Sequence, residues 1–306
     1  MPPITDPALL DALRPEAARL LDRHLAASKE WFPHELVPWS RGQDASPGDA
    51  WDPEEVRLAG GVRSALFVNL LTEDNLPYYF RSIERMFGAG DVWGTWARRW
   101  TAEEGRHSTV IRDYVTVTRA LDPVALERAR MAQVSGGVTP DPPSAAEGFV
   151  YLALQELATR IAHRNTGKLL ADRAGYEVMA RVAGDENLHF LFYRDLVRAA
   201  LEVDPSTMVL AIDRQVRDFA MPGVGIVDFA GHAAAIAKAG IYDLALHHDQ
   251  ILVPVVLRDW NIEDLSGLDD AAARARDELT AHIERVGRIG RRLAARQAEA
   301  ASIPAG

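Results

Sequence analysis

Cysteine is absent from the 306-residue chain, which excludes disulfides, thiolate-held zinc, iron–sulfur clusters and thiol nucleophiles. Any metal must therefore be held by imidazole and carboxylate. Basic charge is also short. The 34 Lys and Arg stand against 44 Asp and Glu, leaving a formal charge of −10, and a chain of that sign does not hold nucleic acid by bulk attraction to phosphate. An acidic partner must meet a local basic patch. Long apolar runs are missing too: the most apolar, Ile251 to Leu257, is far shorter than the ~20 residues a membrane helix needs, so no integral membrane association is expected. Met1 to Asp11 carries acids and prolines rather than a basic stretch and an apolar one, so the sequence reads as a cytoplasmic protein without a targeting segment.

What remains is 48% hydrophobic and 25% charged residues, the composition of a chain that builds a core. Runs of β-branched residues with alternating polarity are few, and apolar positions recur at helical spacing. The expectation is an all-α fold with helices over Asp6–Ser28, Glu54–Phe87, Asp91–Ala120, Pro123–Gln133, Ala145–Ala171, Gly175–Leu201, Pro205–Phe219, Val227–Ala239, Asp243–Trp260 and Asp269–Ala298. The breaks between them are too short to be domain linkers. Residues 1–306 therefore read as one domain, with about the first 30 and last 10 residues peripheral. Nucleotide loops fail on inspection: Ala162 stands where a phosphate loop before Gly167-Lys168 needs glycine, and Asp228 where a dinucleotide loop from Gly223 needs a third small residue.

Two Glu-x-x-His motifs carry the chemistry, Glu104 with His107 and Glu186 with His189. Alone, such a pair is usually a solvated helix face. Here, at 100° per residue, Trp93, Trp96, Trp100, Glu104, His107, Ile111 and Tyr114 fall within an arc of roughly 80°, so the pair sits in an aromatic stripe. Met179, Val182, Glu186, His189, Tyr193 and Val197 repeat the arrangement. Acids on a buried stripe are costly unless a cation neutralises them. Glu73 precedes Glu104 by 31 residues and Glu156 precedes Glu186 by 30, each on an apolar helix. The pattern Glu, then Glu-x-x-His, occurs twice, which is the ligand set of a ferritin-like four-helix di-iron bundle, enlarged here by additional helices. Four carboxylates offset two ferrous ions, and two neutral imidazoles leave coordination positions open to oxygen.

Those residues also carry a resemblance. LLTEDNLPYY around Glu73, WTAEEGRHS around Glu104, FVYLALQELATRIAHRNTGK around Glu156 and DENLHF around Glu186 resemble the soluble acyl-acyl-carrier-protein desaturases of plant plastids and actinobacteria, over about Trp31 to Leu293. The resemblance implies a homodimeric enzyme with two irons per chain that takes electrons from ferredoxin and inserts a cis double bond into an acyl chain on acyl carrier protein. It gives Glu73, Glu104, His107, Glu156, Glu186 and His189 the iron-ligand roles, with Glu104 and Glu186 as bridges. Thr159 takes the place of a hydroxyl beside the oxygen-binding face. Trp31 and Asp185 take those of a surface tryptophan and an aspartate on an electron route through His107, and Gly148 and Phe149 line the acyl channel.

Simpler readings stand beside several of these. A buried-helix threonine often bonds its own i−4 carbonyl, an acid next to a ligand motif can be an exposed helix acid, and Trp31 can be ordinary packing. His163 lacks ligand spacing and reads as a neighbour of the site or as core. His247-His248-Asp249 has no convergent acids, so metal binding is not expected there. Pro77 removes the helical hydrogen bond to the Glu73 carbonyl and predicts a local kink. Gly105 and Leu188 depart from the plant pattern, and Gly inside a ligand helix costs about 1 kcal/mol relative to Ala. Arg285, Arg288, Arg291 and Arg292 are the best candidate patch for an acidic carrier protein. Two other functions fit the same six ligands: a hydroxylase or other oxidase of carrier-bound acyl chains, and a ferritin-like iron-oxidising or storage protein.

Overall fold

Four helices pack in a closed ring: α3 (Gly60–Glu73) on α5 (Asp91–Val117), α5 on α8 (Arg173–Val203), α8 on α7 (Ala145–Leu169), and α7 back on α3. In the computed structural model, which describes residues 6–223 and 225–302, no strand occurs among the described residues. The first five residues of the expected acidic N-terminus lie outside them. The directions of the ring follow from two apolar clusters separated by a polar layer. Along α5 the chain passes from Trp93, Trp96 and Trp100 in one cluster to Val110, Ile111 and Tyr114 in the other, with Glu104 and His107 between. Along α8 the order reverses: Val178, Met179 and Val182, then Glu186 and His189, then Tyr193, Leu196 and Val197. The two Glu-x-x-His helices are therefore antiparallel, and their motifs meet at one level.

The longest contact in the ring is between α7 and α8, joined by the short turn Leu170–Asp172, where Asp172 caps α8 by accepting from the Gly175 N–H. A methyl at Gly175 would lie 2.4 Å from the Tyr114 hydroxyl, so only glycine lets α8 start this close to α5. The other helices thicken the bundle. α9 (Pro205–Arg217) and α12 (Asp270–Ser302) pack together on the α7 side, and α10 (Phe229–Lys238) lies on α3. α6 (Pro123–Gly136) follows α5, and the short α2 (Pro33–Leu36) lies against α5 and α8.

Three expectations are corrected. The helix expected over Glu54–Phe87 starts only at Gly60 and breaks after Glu73, resuming as α4 (Leu76–Phe87). Pro77 has no N–H for the Glu73 carbonyl but fits the first turn of a new helix, where that N–H would be unpaired. Side chains hold the break: Asp74 accepts from the Ser108 hydroxyl (2.6 Å) and pairs with Arg112, and the fully buried Asn75 donates to the Val138 carbonyl (2.9 Å). Second, the expected helix Asp243–Trp260 is one α-turn, α11 (Leu244–His247), running into a π-helix over His248–Asp259 that contains Pro254. Third, the N-terminal segment is not peripheral. α1 (Asp6–Ala27) packs on α8 and α5 and buries Leu9, Leu13, Ala17, Leu20, Leu21 and His24, because its apolar positions recur every third or fourth residue.

Candidate metal centre

Glu73 ends α3, Glu104 and His107 sit mid-way along α5, Glu156 on α7, and Glu186 and His189 on α8; all six are buried. They form two overlapping groups. Glu73, Glu104, His107 and Glu186 bring one ligand atom each within 4.8 Å of one another, and so do Glu104, Glu156, Glu186 and His189. Glu104 and Glu186 belong to both, so they lie between two four-residue half-sites. The sequence expectation named these six residues, and the fold brings them together.

Each histidine turns Nδ1 inward and Nε2 outward. His107 Nδ1 lies 3.5 Å from Glu104, 3.7 Å from Glu186 and 3.9 Å from Glu73, while its Nε2 faces Asp185 at 3.5 Å. His189 Nδ1 lies 3.0 Å from Glu104 and 3.5 Å from Glu156, while its Nε2 meets Glu103 at 3.0 Å. The symmetry follows from sequence: the acid just before each shared Glu faces the histidine of the opposite helix. A carboxylate on the outer imidazole nitrogen keeps a proton there, so the inner nitrogen is the one that can present a lone pair to a metal.

These donors fit divalent metal. Glu104 Oε1, Glu156 Oε2, His107 Nδ1 and His189 Nδ1 are buried without a hydrogen-bonding partner, an arrangement that is expensive unless a cation takes them up. The protonation pattern makes the same point. Burial, then the charge of Glu104, pushes Glu73 up to about 8, and burial with Glu186 pushes Glu156 well above the carboxylate range. Burial would raise Glu104 as well, but His107 and His189 hold it low. Burial opposes charge on both histidines, yet the surrounding carboxylates raise them well above 6.5. Protons thus do here what a divalent ion would do, and metal binding would release them.

The surrounding residues complete the geometry. Thr159 Oγ1 lies 3.1 Å from Glu186 Oε2, and also 3.0 and 3.2 Å from the Glu156 and Gln155 carbonyls, so its one proton has three acceptors. Trp31 Nε1 donates to Asp185 (2.8 Å), and burial is outweighed by His107, Trp31 and Arg181, which hold Asp185 at about 2. Trp31 itself is not a surface residue: it is 7% exposed, with the guanidiniums of Arg106 and Arg181 over its ring at 4.8 and 5.4 Å. His163 Nε2 lies 3.2 Å from Glu73 and 3.5 Å from Glu186, a neighbour of the site rather than core; the two carboxylates overcome burial and raise it to about 9.

Residues the sequence reading missed also converge. Trp100 Nε1 donates to Glu156 (2.9 Å), and Glu103 gathers His24 (2.9 Å), His189 (3.0 Å) and Arg99 (2.5 Å). The repeat itself flags Glu103, since it precedes Glu104 as Asp185 precedes Glu186. Nothing local flags His24, which is 79 residues from Glu103 in sequence.

An apolar cavity opens onto Glu73, Glu104 and Glu186, walled by Tyr79, Ile83, Met86, Trp100, Tyr151 and Leu152, with Pro140, Pro142 and Pro222 lining it as well. Gly148 and Phe149, expected on a channel wall, are not among the residues lining this cavity. Phe149 is fully buried, stacked on Phe87 (4.6 Å) and Trp93 (5.6 Å), and a methyl at Gly148 would meet the sulfur of Met86 at 2.8 Å, so Met86 packs against Gly148. A second cavity shares Pro140, Pro142 and Tyr151 and reaches the surface beside Arg214 and Asp218. The exposed Arg285, Arg288, Arg291 and Arg292 on α12 line neither. His247, His248 and Asp249 join no group of potential metal ligands among the described residues; His247 instead bonds Tyr242 (2.8 Å). No helix among the described residues is long and apolar enough to cross a membrane.

Known proteins share this arrangement of chain. DesA1 of Mycobacterium tuberculosis, named as an acyl-(acyl-carrier-protein) desaturase, is 41% identical over 286 residues, covering 90% of this chain and 84% of that one. The chloroplastic acyl-(acyl-carrier-protein) desaturase 6 of Oryza sativa subsp. japonica is 34% identical over 284 residues, 84% of this chain and 67% of that one. The X-ray structure of DesA2 from M. tuberculosis H37Rv superposes with a TM-score of 0.70 at 27% identity, covering 88% of this chain and 99% of that one. With residues 6–304 matching the fatty acid desaturase family and two Glu-x-x-His helices meeting at one buried level, the chain belongs to that family of enzymes.

Proposed function

We propose that this desaturase binds two iron ions per chain through Glu73, Glu104, His107, Glu156, Glu186 and His189, with Glu104 and Glu186 shared, and uses oxygen to insert a cis double bond into an acyl chain carried on acyl carrier protein. The observation that carries the reading is the pair of overlapping buried half-sites facing an apolar cavity. Iron held there supplies the oxidising power that an unactivated C–H bond demands and that zinc or magnesium lacks. The names of the relatives support the carrier-bound substrate.

The chain's own residues do the rest. Ile83, Met86, Leu152 and Tyr79 exclude water and hold the acyl chain in a fixed register, so that position within about 1 Å selects the methylenes that react. Asp185 and Glu103 hold the outer imidazole nitrogens, fixing both tautomers. Thr159 holds a hydroxyl proton within reach of Glu186, beside the cavity it helps line. Oxygen takes four electrons to become water. The acyl chain gives two as it becomes an alkene, so an external ferredoxin-type donor gives two, along a route from Trp31, just before α2, through its hydrogen bond to Asp185 and across 3.5 Å to His107 Nε2. The working form on this reading is a cytoplasmic homodimer of one-domain chains. The cavity at the acids favours acyl oxidation over iron storage, which has no use for it.

The test is mass spectrometry of palmitoyl- or stearoyl-acyl carrier protein after incubation with reduced, iron-loaded enzyme and oxygen. The expected product is two mass units lighter, with strict dependence on iron, oxygen and reductant. A product sixteen units heavier makes the enzyme a hydroxylase, and no change under any of these conditions refutes the substrate.

A further inference from the structure

The acid–histidine pairs on the two sides of the centre end differently. On the His107 side, Asp185 leads to Trp31. On the His189 side, Glu103 leads to His24, in the last turn of α1. His24 is 4% exposed and Glu103 2%. Both imidazoles reach the same oxygen, Glu103 Oε2, His24 Nε2 at 2.9 Å and His189 Nε2 at 3.0 Å, while Arg99 takes Oε1 at 2.5 Å. The two rings lie nearly parallel, 20° apart with centroids 5.7 Å apart, and Trp96 sets its edge against both, 5.0 Å from His24 and 6.1 Å from His189. The other nitrogen of His24, Nδ1, is buried without a partner. A carboxylate oxygen offers its acceptor directions to several donors, so Glu103 can take an N–H from each ring. Its hold on Nε2 of His189 leaves Nδ1 of that ring free to face Glu104 and Glu156.

We propose that His24 is a positioning residue for the metal centre: by donating to Glu103 it fixes the carboxylate that orients His189, so that docking of the N-terminal helix α1 completes the half-site of Glu156 and His189. The inference rests on the metal reading above. A chain lacking α1 would keep all six ligands yet leave Glu103 with one imidazole fewer, and the ring of His189 would lose the neighbour stacked against it. Carboxylates that hold metal-bound histidines change affinity by about 10- to 100-fold when altered. One bond further out, the loss of the His24 donor is expected at the lower end, about tenfold, in one half-site only.

The experiment is titration of the metal-free full-length chain with Co²⁺, followed by visible absorbance, and with Fe²⁺ against a competing chelator. It uses wild type, His24→Leu, His24→Asn and His24→Gln. Leu and Asn remove the donor by different routes, so one unfolded variant leaves the other informative, and Gln restores a donor near the position of Nε2. The expected result is two metals in wild type, one of them bound about tenfold more weakly with an altered cobalt spectrum in the Leu and Asn variants, and recovery to within about threefold in Gln. Wild-type affinity and spectrum in the folded Leu or Asn variant, or an equal loss in Gln, overturns the role of His24. No metal in wild type overturns the centre itself, which separates the two failures. A purely structural histidine would lower the melting temperature while leaving affinity and spectrum unmoved.

Discussion

Trp100 Nε1 donates to Oε1 of Glu156 at 2.9 Å, leaving Oε2 of the same carboxylate to face His189 Nδ1 at 3.5 Å. The indole thus occupies one oxygen of a proposed ligand and turns the other inward. Trp100→Phe keeps the packing and removes the donor. The expected outcome is metal affinity weakened about tenfold at the Glu156 half-site, since the orientation of a ligating carboxylate is lost, with the half-site of Glu73 and His107 unchanged. Stepwise Co²⁺ titration reads both, and two unchanged affinities would remove Trp100 from the site.

Metal removal should cost stability. A cation that binds only the folded chain adds about 2.7 kcal/mol when free metal is a hundredfold above the dissociation constant, worth several degrees of melting temperature in a chain of this length. Chelation should therefore lower the melting temperature of wild type. In Glu104→Ala or Glu186→Ala, where each deletion removes a ligand shared by both half-sites, chelator should change nothing and metal analysis should find most of the metal gone. A full two metals per chain in both variants would defeat the shared-ligand assignment.

Two glycines should respond to alanine in opposite directions. A methyl at Gly105, in the middle of α5, meets nothing nearer than Leu76 Cδ2 at 3.9 Å, so Gly105→Ala should stabilise by about 0.5–1 kcal/mol through the helix propensity it restores. A methyl at Gly61 would lie 2.4 Å from Ala239 Cβ and 2.6 Å from the Ala235 carbonyl, where α3 meets α10, so Gly61→Ala should destabilise by about 1–3 kcal/mol. Urea unfolding of both variants decides the signs.

His247 should make the fold acid-sensitive. Burial, and then the charge of His248, lowers it to about 4; Tyr242 bonds its Nδ1 at 2.8 Å, Phe219 stacks on it at 4.9 Å, and Arg217 and His282 line the same groove. The unfolded chain, with an ordinary histidine near 6.5, binds the proton first. This contribution to stability is therefore fully present above about pH 6.5 and is lost as pH falls toward 4, by up to about 3 kcal/mol. His247→Gln, which cannot titrate, should flatten the fall of unfolding free energy over that window. Parallel curves for wild type and variant would show that His247 is not the group responsible.

The sequence by itself determined that the chain is helical and which residues are proposed to carry the chemistry. Aromatic and aliphatic residues every third or fourth position place Glu104, His107, Glu186 and His189 on buried stripes, which follows from the helical period alone, and the repeated spacing from Glu73 and Glu156 picks out their partner acids. The same repeat contained Glu103, overlooked because an acid beside an acid reads as a solvated face until the opposite helix supplies its histidine. What only the tertiary structure decided is what depends on distant segments meeting. His24 reaches Glu103 across 79 residues, Trp31 lies beneath Arg106 and Arg181 rather than at the surface, and Met86, which lines the cavity, packs against Gly148. The break after Glu73 lies between these cases. Pro77 announced a missing hydrogen bond, but the choice between a kink and a full stop fell to Ser108, Arg112 and the Val138 carbonyl, which take hold of Asp74 and Asn75 from elsewhere in the chain.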